Sequence, residues 1–311
     1  MTTSRIAFVF PGQGSQYVGM GEDLCGQFGA AREVFAEADD ALGFSLSELC
    51  FSGPEADLKL TENTQPAILT VSIAALRVLE AETRIRPAFV AGHSLGEYSA
   101  LVAVGALSFR DAVKVVRARG RLMQRAVPAE HGAMAVVLGL ATDAVRALCA
   151  EASHGQVVAP ANYNGGGQVV IAGAKNAVSR AVALAKEAGA KRVLDLPVSA
   201  PFHCRLMQPA ADGLKEALRD IPVHSFSVGV VTNVEADVNL DAVRVKSLLV
   251  EQAVHPVRWE ESVQRLAALG CDRAIEIGPG KVLKGLIKRI VPAMEVANFE
   301  APQDLSRVAA V

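Results

Sequence analysis

The stretch PAFVAGHSLGEYSALVAVGAL, Pro87–Leu107, decides the fold. Its opening, PAFVAG (Pro87–Gly92), is a continuous apolar run, the mark of a strand buried on both faces. Its second half, from Leu95 to Leu107, reads as a helix. Between them, Gly92-His93-Ser94-Leu95-Gly96 fits G-x-S-x-G. A serine on a sharp strand-to-helix turn is held in a strained conformation, so small residues must flank it two positions away on either side. The N–H of the next residue, Leu95, then points toward a developing oxyanion, and the helix N-terminus adds positive potential there. The pentapeptide alone also occurs as a plain turn; the strand before it and the helix after it favour Ser94 as a nucleophile.

Working outward, IAFVF (Ile6–Phe10) is a second buried strand, stopped by Pro11-Gly12, and a helical pattern runs from Pro66 to about Glu82. Strands alternating with helices imply an α/β sheet with right-handed crossovers. From about residue 130 the rhythm changes. A strand (AMAVVLGL), a helix (Asp143–Ala152), two strands (VVAPANY and QVVIAG) around Asn164-Gly165-Gly166-Gly167, a helix (Lys175–Ala188) and a strand (KRVLDLPV) follow in turn. That order is βαββαβ, the ferredoxin-like arrangement. The expected organisation is therefore an α/β core over residues 1–129 and 199–311, with a ferredoxin-like subdomain inserted at 130–198. Beyond it come helices near Leu206–Leu218, Ala242–Gln252 and Trp259–Leu269, strands near Ser227–Thr232 and at RAIEIG, and a helix from Lys281. The last ten or so residues read as loosely held.

The bulk numbers exclude several classes. With 311 residues, 51% hydrophobic and 21% charged, the chain has ample core. A formal net charge of −2 argues against a general nucleic-acid binder. No apolar run is long enough for a transmembrane helix, and MTTSRIAFVF lacks the features of a secretory signal. Five cysteines are scattered without metal-ligand spacing, so a reduced, cytoplasmic protein with neither metal nor cofactor is expected.

Among six histidines, His203 stands out as a base for Ser94. It follows RVLDLPV and Ser199-Ala200-Pro201, where the chain leaves the inserted segment for the main sheet, and crevices of that kind hold ligands. His255, His93 and a plain structural role for His203 remain open; His131, His154 and His224 sit in polar, loop-like settings. No acid to orient an imidazole is evident: Asp195 alternates with leucines on its strand, and a backbone carbonyl would serve instead.

The segment Asp111–Ala126 reads as a helix. Lys114, Arg117, Arg121 and Arg125 form an ordinary solvated stripe, but Arg119 is surrounded by Val115, Val116, Leu122 and Met123. An arginine in an apolar face costs several kcal/mol unless a fixed partner meets it. Two readings follow: a buried ion pair, or a bidentate clamp for a substrate carboxylate.

Two glycine loops remain. Phe10-Pro11-Gly12-Gln13-Gly14-Ser15-Gln16 fails the dinucleotide pattern, because Tyr17 occupies the third glycine position, and lacks the Gly-Lys-Ser/Thr of a P-loop. It suits the donation of a second backbone N–H, from Gln13, to an oxyanion. Glu276-Ile277-Gly278-Pro279-Gly280-Lys281 reads as a structural strand-to-helix turn.

FPGQGSQ (Phe10–Gln16), QPA (Gln65–Ala67), GHSLGEYSAL (Gly92–Leu101), Arg119–Gln124, PVSAPFH (Pro197–His203), PVRW (Pro256–Trp259) and EIGPGKVL (Glu276–Leu283), in order, resemble the malonyl-CoA:acyl carrier protein transacylases of bacterial fatty acid synthesis. The resemblance covers nearly the whole chain. It implies an α/β-hydrolase-like core with a ferredoxin-like insertion, a malonyl-serine intermediate on Ser94 and His203 as base. It further implies Gln13 and Leu95 as oxyanion donors, Arg119 on the malonyl carboxylate, Gln252 orienting the histidine through its main chain, and His93, Met123 and Asn162 in the pocket. Cys204 stands where serine is frequent in related sequences, and Phe202 accompanies malonyl rather than branched extenders in related polyketide domains. The implied partners are malonyl-CoA and holo-acyl carrier protein, bound by a monomer; Lys281, Lys284 and Lys288, beside Arg289, are a candidate docking face or a plain solvated helix. The rival readings are a serine esterase or thioesterase, a malonyl transferase serving a polyketide synthase or malonate decarboxylase, and a catalytically silent carrier-protein scaffold.

Overall fold

Strand β1 (Arg5–Phe10) buries Phe8 and Phe10 in one hydrophobic cluster and Ala7 and Val9 in another. Side chains alternate across a strand, so clusters on both sides mean that the sheet is covered on both faces. In the computed structural model, which describes residues 5–128, 130–196 and 200–309, β1 lies at the middle of that sheet. It pairs in parallel with β2 (Phe89–Gly92), in the register Phe10 opposite Gly92. The small antiparallel sheet comprises β3 (Gly132–Leu138), β4 (Val158–Gly165), β5 (Gln168–Ala174) and β6 (Arg192–Asp195). The main sheet is completed by β7 (Gly229–Val231), β8 (Val238–Asn239), β9 (Cys271–Ile277) and β10 (Glu295–Phe299).

The main sheet has the order β10-β9-β1-β2-β7-β8, parallel except for the edge strand β8. The chain departs from β1 toward β2 and β7, and returns later on the other side as β9 and β10. Such a reversal opens a crevice beyond the carboxyl ends of the strands. The second sheet has the order β4-β5-β3-β6, with every pair antiparallel. The helices Thr142–Ala152 and Lys175–Glu187 cover one of its faces through Val145, Cys149, Val178 and Ala181. Its other face presents Met134, Val136 and Val170 to Phe202, Cys204 and Leu206. Asn162 bridges to Val257, which joins β4 to the main body. The expected parallel-sheet core with a ferredoxin-like insertion is thus the architecture observed. The expected boundary residues Ala129, Val198 and Ser199 lie outside the described residues, as does Pro197 of the PVSAPFH stretch.

Several expected bounds shift. The helix expected from Pro66 begins five residues earlier, spanning Thr61–Glu82 with Pro66 inside it. The segment expected as one helix near Leu206 begins with a 3-10 turn, Arg205–Met207, and continues as Gln208–Leu218. The chain between residues 22 and 58, left unassigned from sequence, folds into the short helices Glu22–Gln27, Gly29–Leu42, Leu46–Ser52 and Glu55–Leu58. The C-terminal segment is held more firmly than expected: Leu305–Ala309 is helical and Val308 is fully buried in the core. Arg117 departs from the solvated stripe, because its guanidinium lies 4.2 Å over the Phe44 ring.

Candidate active site

The turn after β2 shows why the elbow needs its glycines. A Cβ on Gly92 would lie 1.9 Å from the backbone of Gly96, and one on Gly96 would lie 2.0 Å from the carbonyl oxygen of Phe10. Between them Ser94 has φ 51°, the left-handed region that a side chain adopts at a cost of about 1–3 kcal/mol. The strain is held by Asn233, whose Oδ1 accepts the Ser94 N–H at 2.7 Å while its Nδ2 donates to the Gly92 carbonyl at 2.7 Å. Both sides of the elbow are therefore pinned by one amide.

His203 also has positive φ, 59°, and its ring meets the serine. Nδ1 lies 2.8 Å from the main-chain oxygen of Gln252, which can only accept, so Nδ1 carries the proton. Nε2 is then the free acceptor, and the Ser94 hydroxyl donates to it at 2.8 Å. A backbone carbonyl thus stands where a carboxylate would complete a triad. His203 is pushed down to about 3, first by burial and next by the Arg119 charge, so its imidazole is neutral and Nε2 carries no proton. The other histidine candidates fall away. His255 is exposed and turns Nδ1 to Glu251 O at 2.9 Å, and Asp195 is exposed on its strand. His93 directs Nε2 to Asn164 Oδ1 at 2.9 Å and packs against Trp259, so it forms a wall of the site, its charged form disfavoured by burial.

Arg119 is 1% exposed, on the helix Phe109–Arg125. Of the two readings from sequence, the ion pair fails: its guanidinium hydrogen bonds go to neutral oxygens. Nη1 donates to Gln65 Oε1 at 2.8 Å, and Nη2 to Gln252 Oε1 at 2.9 Å and to Ser94 Oγ at 3.2 Å. Nε is buried without a hydrogen-bond partner among the described residues, and the guanidinium lies 5.4 Å from the centre of the Tyr98 ring. This desolvated cation faces a cavity of about 120 Å³ lined by Gln13, Leu95, Met123, Met134, Asn162 and Phe202, among others. Such a site suits a small acyl group ending in an anion.

The loop after β1 brings Gln13 to the same cavity, where its side chain donates to Thr61 Oγ1 at 3.3 Å. The nine residues that the resemblance assigns to the site thus belong to one neighbourhood, Gln252 as the fully buried support behind it. Three supporting residues were missed: Gln65, Glu97 and Asn233. Gln65 and Glu97 stood inside quoted motifs, QPA and GHSLGEYSAL, so those motifs held a signal; Asn233 lies in a polar turn after β7 with no pattern to mark it. Glu97 is 2% exposed and is pushed up to about 7 by burial, against hydrogen bonds from Gln252 and Asn233. The Glu276 turn is structural, as expected: its carboxylate accepts from the N–H groups of Leu283 and Lys284 at the start of the helix Val282–Ile290.

Among the described residues no helix is long and apolar enough to cross a membrane, and no group of acids, cysteines and histidines could hold a metal ion. Residues 7–300 match the family model described as an acyl transferase domain. The chain is 48% identical over 303 residues to the malonyl CoA-acyl carrier protein transacylase of Escherichia coli (strain K12), covering 97% of this chain and 98% of that one. It is 50% identical to the transacylase of the same name from Bacillus subtilis (strain 168), covering 97% and 95%. A solved acyl carrier protein S-malonyltransferase from Vibrio cholerae superposes with a TM-score of 0.96 at 49% identity, covering 98% and 100%. A malonyl-transacylase solved with its type II polyketide synthase carrier protein superposes with a TM-score of 0.95 at 46% identity, covering 97% and 98%. The chain belongs to the acyl transferase domain family and, within it, to the malonyl CoA-acyl carrier protein transacylases.

Proposed function

We propose that this protein moves a malonyl group from malonyl-CoA to the phosphopantetheine thiol of holo-acyl carrier protein through a malonyl ester of Ser94. The observation that carries this reading is Arg119, a buried cation without a direct carboxylate partner, 3.2 Å from the Ser94 hydroxyl. His203 Nε2 takes the hydroxyl proton as Oγ attacks the thioester carbon. The N–H groups of Gln13 and Leu95 receive the oxyanion, a contribution on the order of 10²–10³ in rate for each donor. The carbon–sulfur bond breaks, the imidazolium returns its proton to the departing CoA sulfur, and the malonyl ester remains. The carrier thiol then gives its proton to His203 and attacks the ester, and Ser94 leaves with that proton. Arg119 pairs with the malonyl carboxylate, Gln252 holds the imidazole in its tautomer, and Met123, Asn162 and His93 shape the pocket.

The catalytic core is assigned to residues 1–129 and 199–311 and the inserted subdomain to 130–198, in a cytoplasmic monomer that needs no cofactor. The test is the fate of malonyl-CoA with and without holo-carrier. Malonyl should appear on the carrier thiol, with free malonate a minor product. Hydrolysis unaffected by the carrier would identify a thioesterase instead. The solved polyketide complex favours a second carrier class for the same chemistry, and competition between fatty acid and polyketide carriers distinguishes the two.

A further inference from the structure

The two poles of the Gln252 side-chain amide are held by different groups. Its Nε2 donates to Glu97 Oε2 at 2.7 Å and to the Ser94 carbonyl at 3.0 Å. Its Oε1 accepts from Arg119 Nη2 at 2.9 Å. A reversed amide would set its NH₂ against the guanidinium, donor facing donor, and its oxygen against a carboxylate and a carbonyl, acceptor facing acceptor. Glu97 Oε2 also accepts the Asn233 N–H at 3.1 Å, so the carboxylate is fixed in turn by the residue that pins the elbow. Glu97 lies on the helix Gly96–Ala103, three residues after the nucleophile, fully inside the protein.

We propose that Glu97 is a positioning residue for malonyl transfer: it dictates the orientation of the Gln252 amide, and with it the placement of Arg119. The inference rests on the reading of Arg119 as the carboxylate clamp. An acid bonded directly to Arg119 would occupy the place the substrate carboxylate must take. An acid one amide away supplies counter-charge to the buried guanidinium when it is ionised, and itself occupies none of the guanidinium N–H groups, which bond Gln65, Gln252 and Ser94. Because the main-chain oxygen of the same Gln252 accepts from His203 Nδ1, the device also keeps clamp and base in a fixed relation.

The test uses Glu97→Gln in the full chain. Glutamine keeps the volume and a hydrogen bond but offers either an oxygen or an NH₂, so the Gln252 amide is no longer forced one way. The readout is the ratio of acyl-enzyme formation efficiencies (kcat/KM) for malonyl-CoA and acetyl-CoA, which general destabilisation does not change. The ratio should fall about tenfold or more in an otherwise wild-type chain, and by less than about twofold in an Arg119→Ala background, since coupled residues are non-additive. Glu97→Asp keeps an acceptor-only group; it should retain the ratio within about threefold even where its rates fall, and it serves if the glutamine variant does not fold. An unchanged ratio in Glu97→Gln, an equal loss in both backgrounds, or a loss of about tenfold or more in Glu97→Asp would overturn the proposal. A wild-type protein that did not favour malonyl-CoA would instead refute the clamp itself.

Discussion

Arg119 Nη2 and His203 Nε2 converge on the same atom, Ser94 Oγ, at 3.2 and 2.8 Å. The cation lowers the proton affinity of the base as well as facing the substrate. Burial is the larger cause of the depressed His203, with Arg119 next. The histidine is therefore neutral through the physiological range, and its ring resonances should hold constant from about pH 5 to 8. Arg119→Ala removes a like charge, so the midpoint should move upward. Two-dimensional NMR of histidine-labelled protein measures both, and a wild-type midpoint near the ordinary histidine value would contradict the account.

The same variant tests the clamp. Arg119→Ala should lower kcat/KM for malonyl-CoA by about 10²-fold, the scale of a lost charge-assisted hydrogen-bond pair, and lower that for acetyl-CoA far less. Steady-state kinetics with both thioesters provides the comparison. An equal loss for both would assign Arg119 a purely structural role.

Asn233→Ala leaves the Ser94 N–H and the Gly92 carbonyl without their partner inside the protein. Each unsatisfied buried group costs about 1–3 kcal/mol, so denaturant unfolding should show a loss of roughly 2–6 kcal/mol. The rate of acyl-enzyme formation should fall as well, because the strained φ of Ser94 is no longer held. A variant with full stability and full rate would show that the elbow holds itself.

Much of this site was legible because its chemistry is local or periodic. The elbow reads directly from Gly92 to Gly96, and the structure shows the backbone contacts that forbid a side chain at either end. Arg119 was visible because a charged residue interrupts an apolar helical face. His203 was favoured by position alone, with His255 and His93 left open, because the partner of its Nδ1 is a main-chain oxygen that leaves no trace in residue type. Asn233 lies 139 residues from Ser94 along the chain, so only the β2–β7 pairing brings the two together. The helices between residues 22 and 58 escaped for a related reason: they are mostly short, and their stability comes from packing of Leu24, Val34, Phe35 and Leu46 into the core rather than from intrinsic propensity.

The central claim is a malonyl ester on Ser94. Intact-mass measurement after incubation with malonyl-CoA, in the absence of any carrier, tests it most directly. Wild-type protein should gain about 86 Da, the composition of one malonyl group replacing the hydroxyl hydrogen, as expected for covalent catalysis. Ser94→Ala should gain nothing. No adduct on the wild type, or an adduct that persists in Ser94→Ala, would contradict the account.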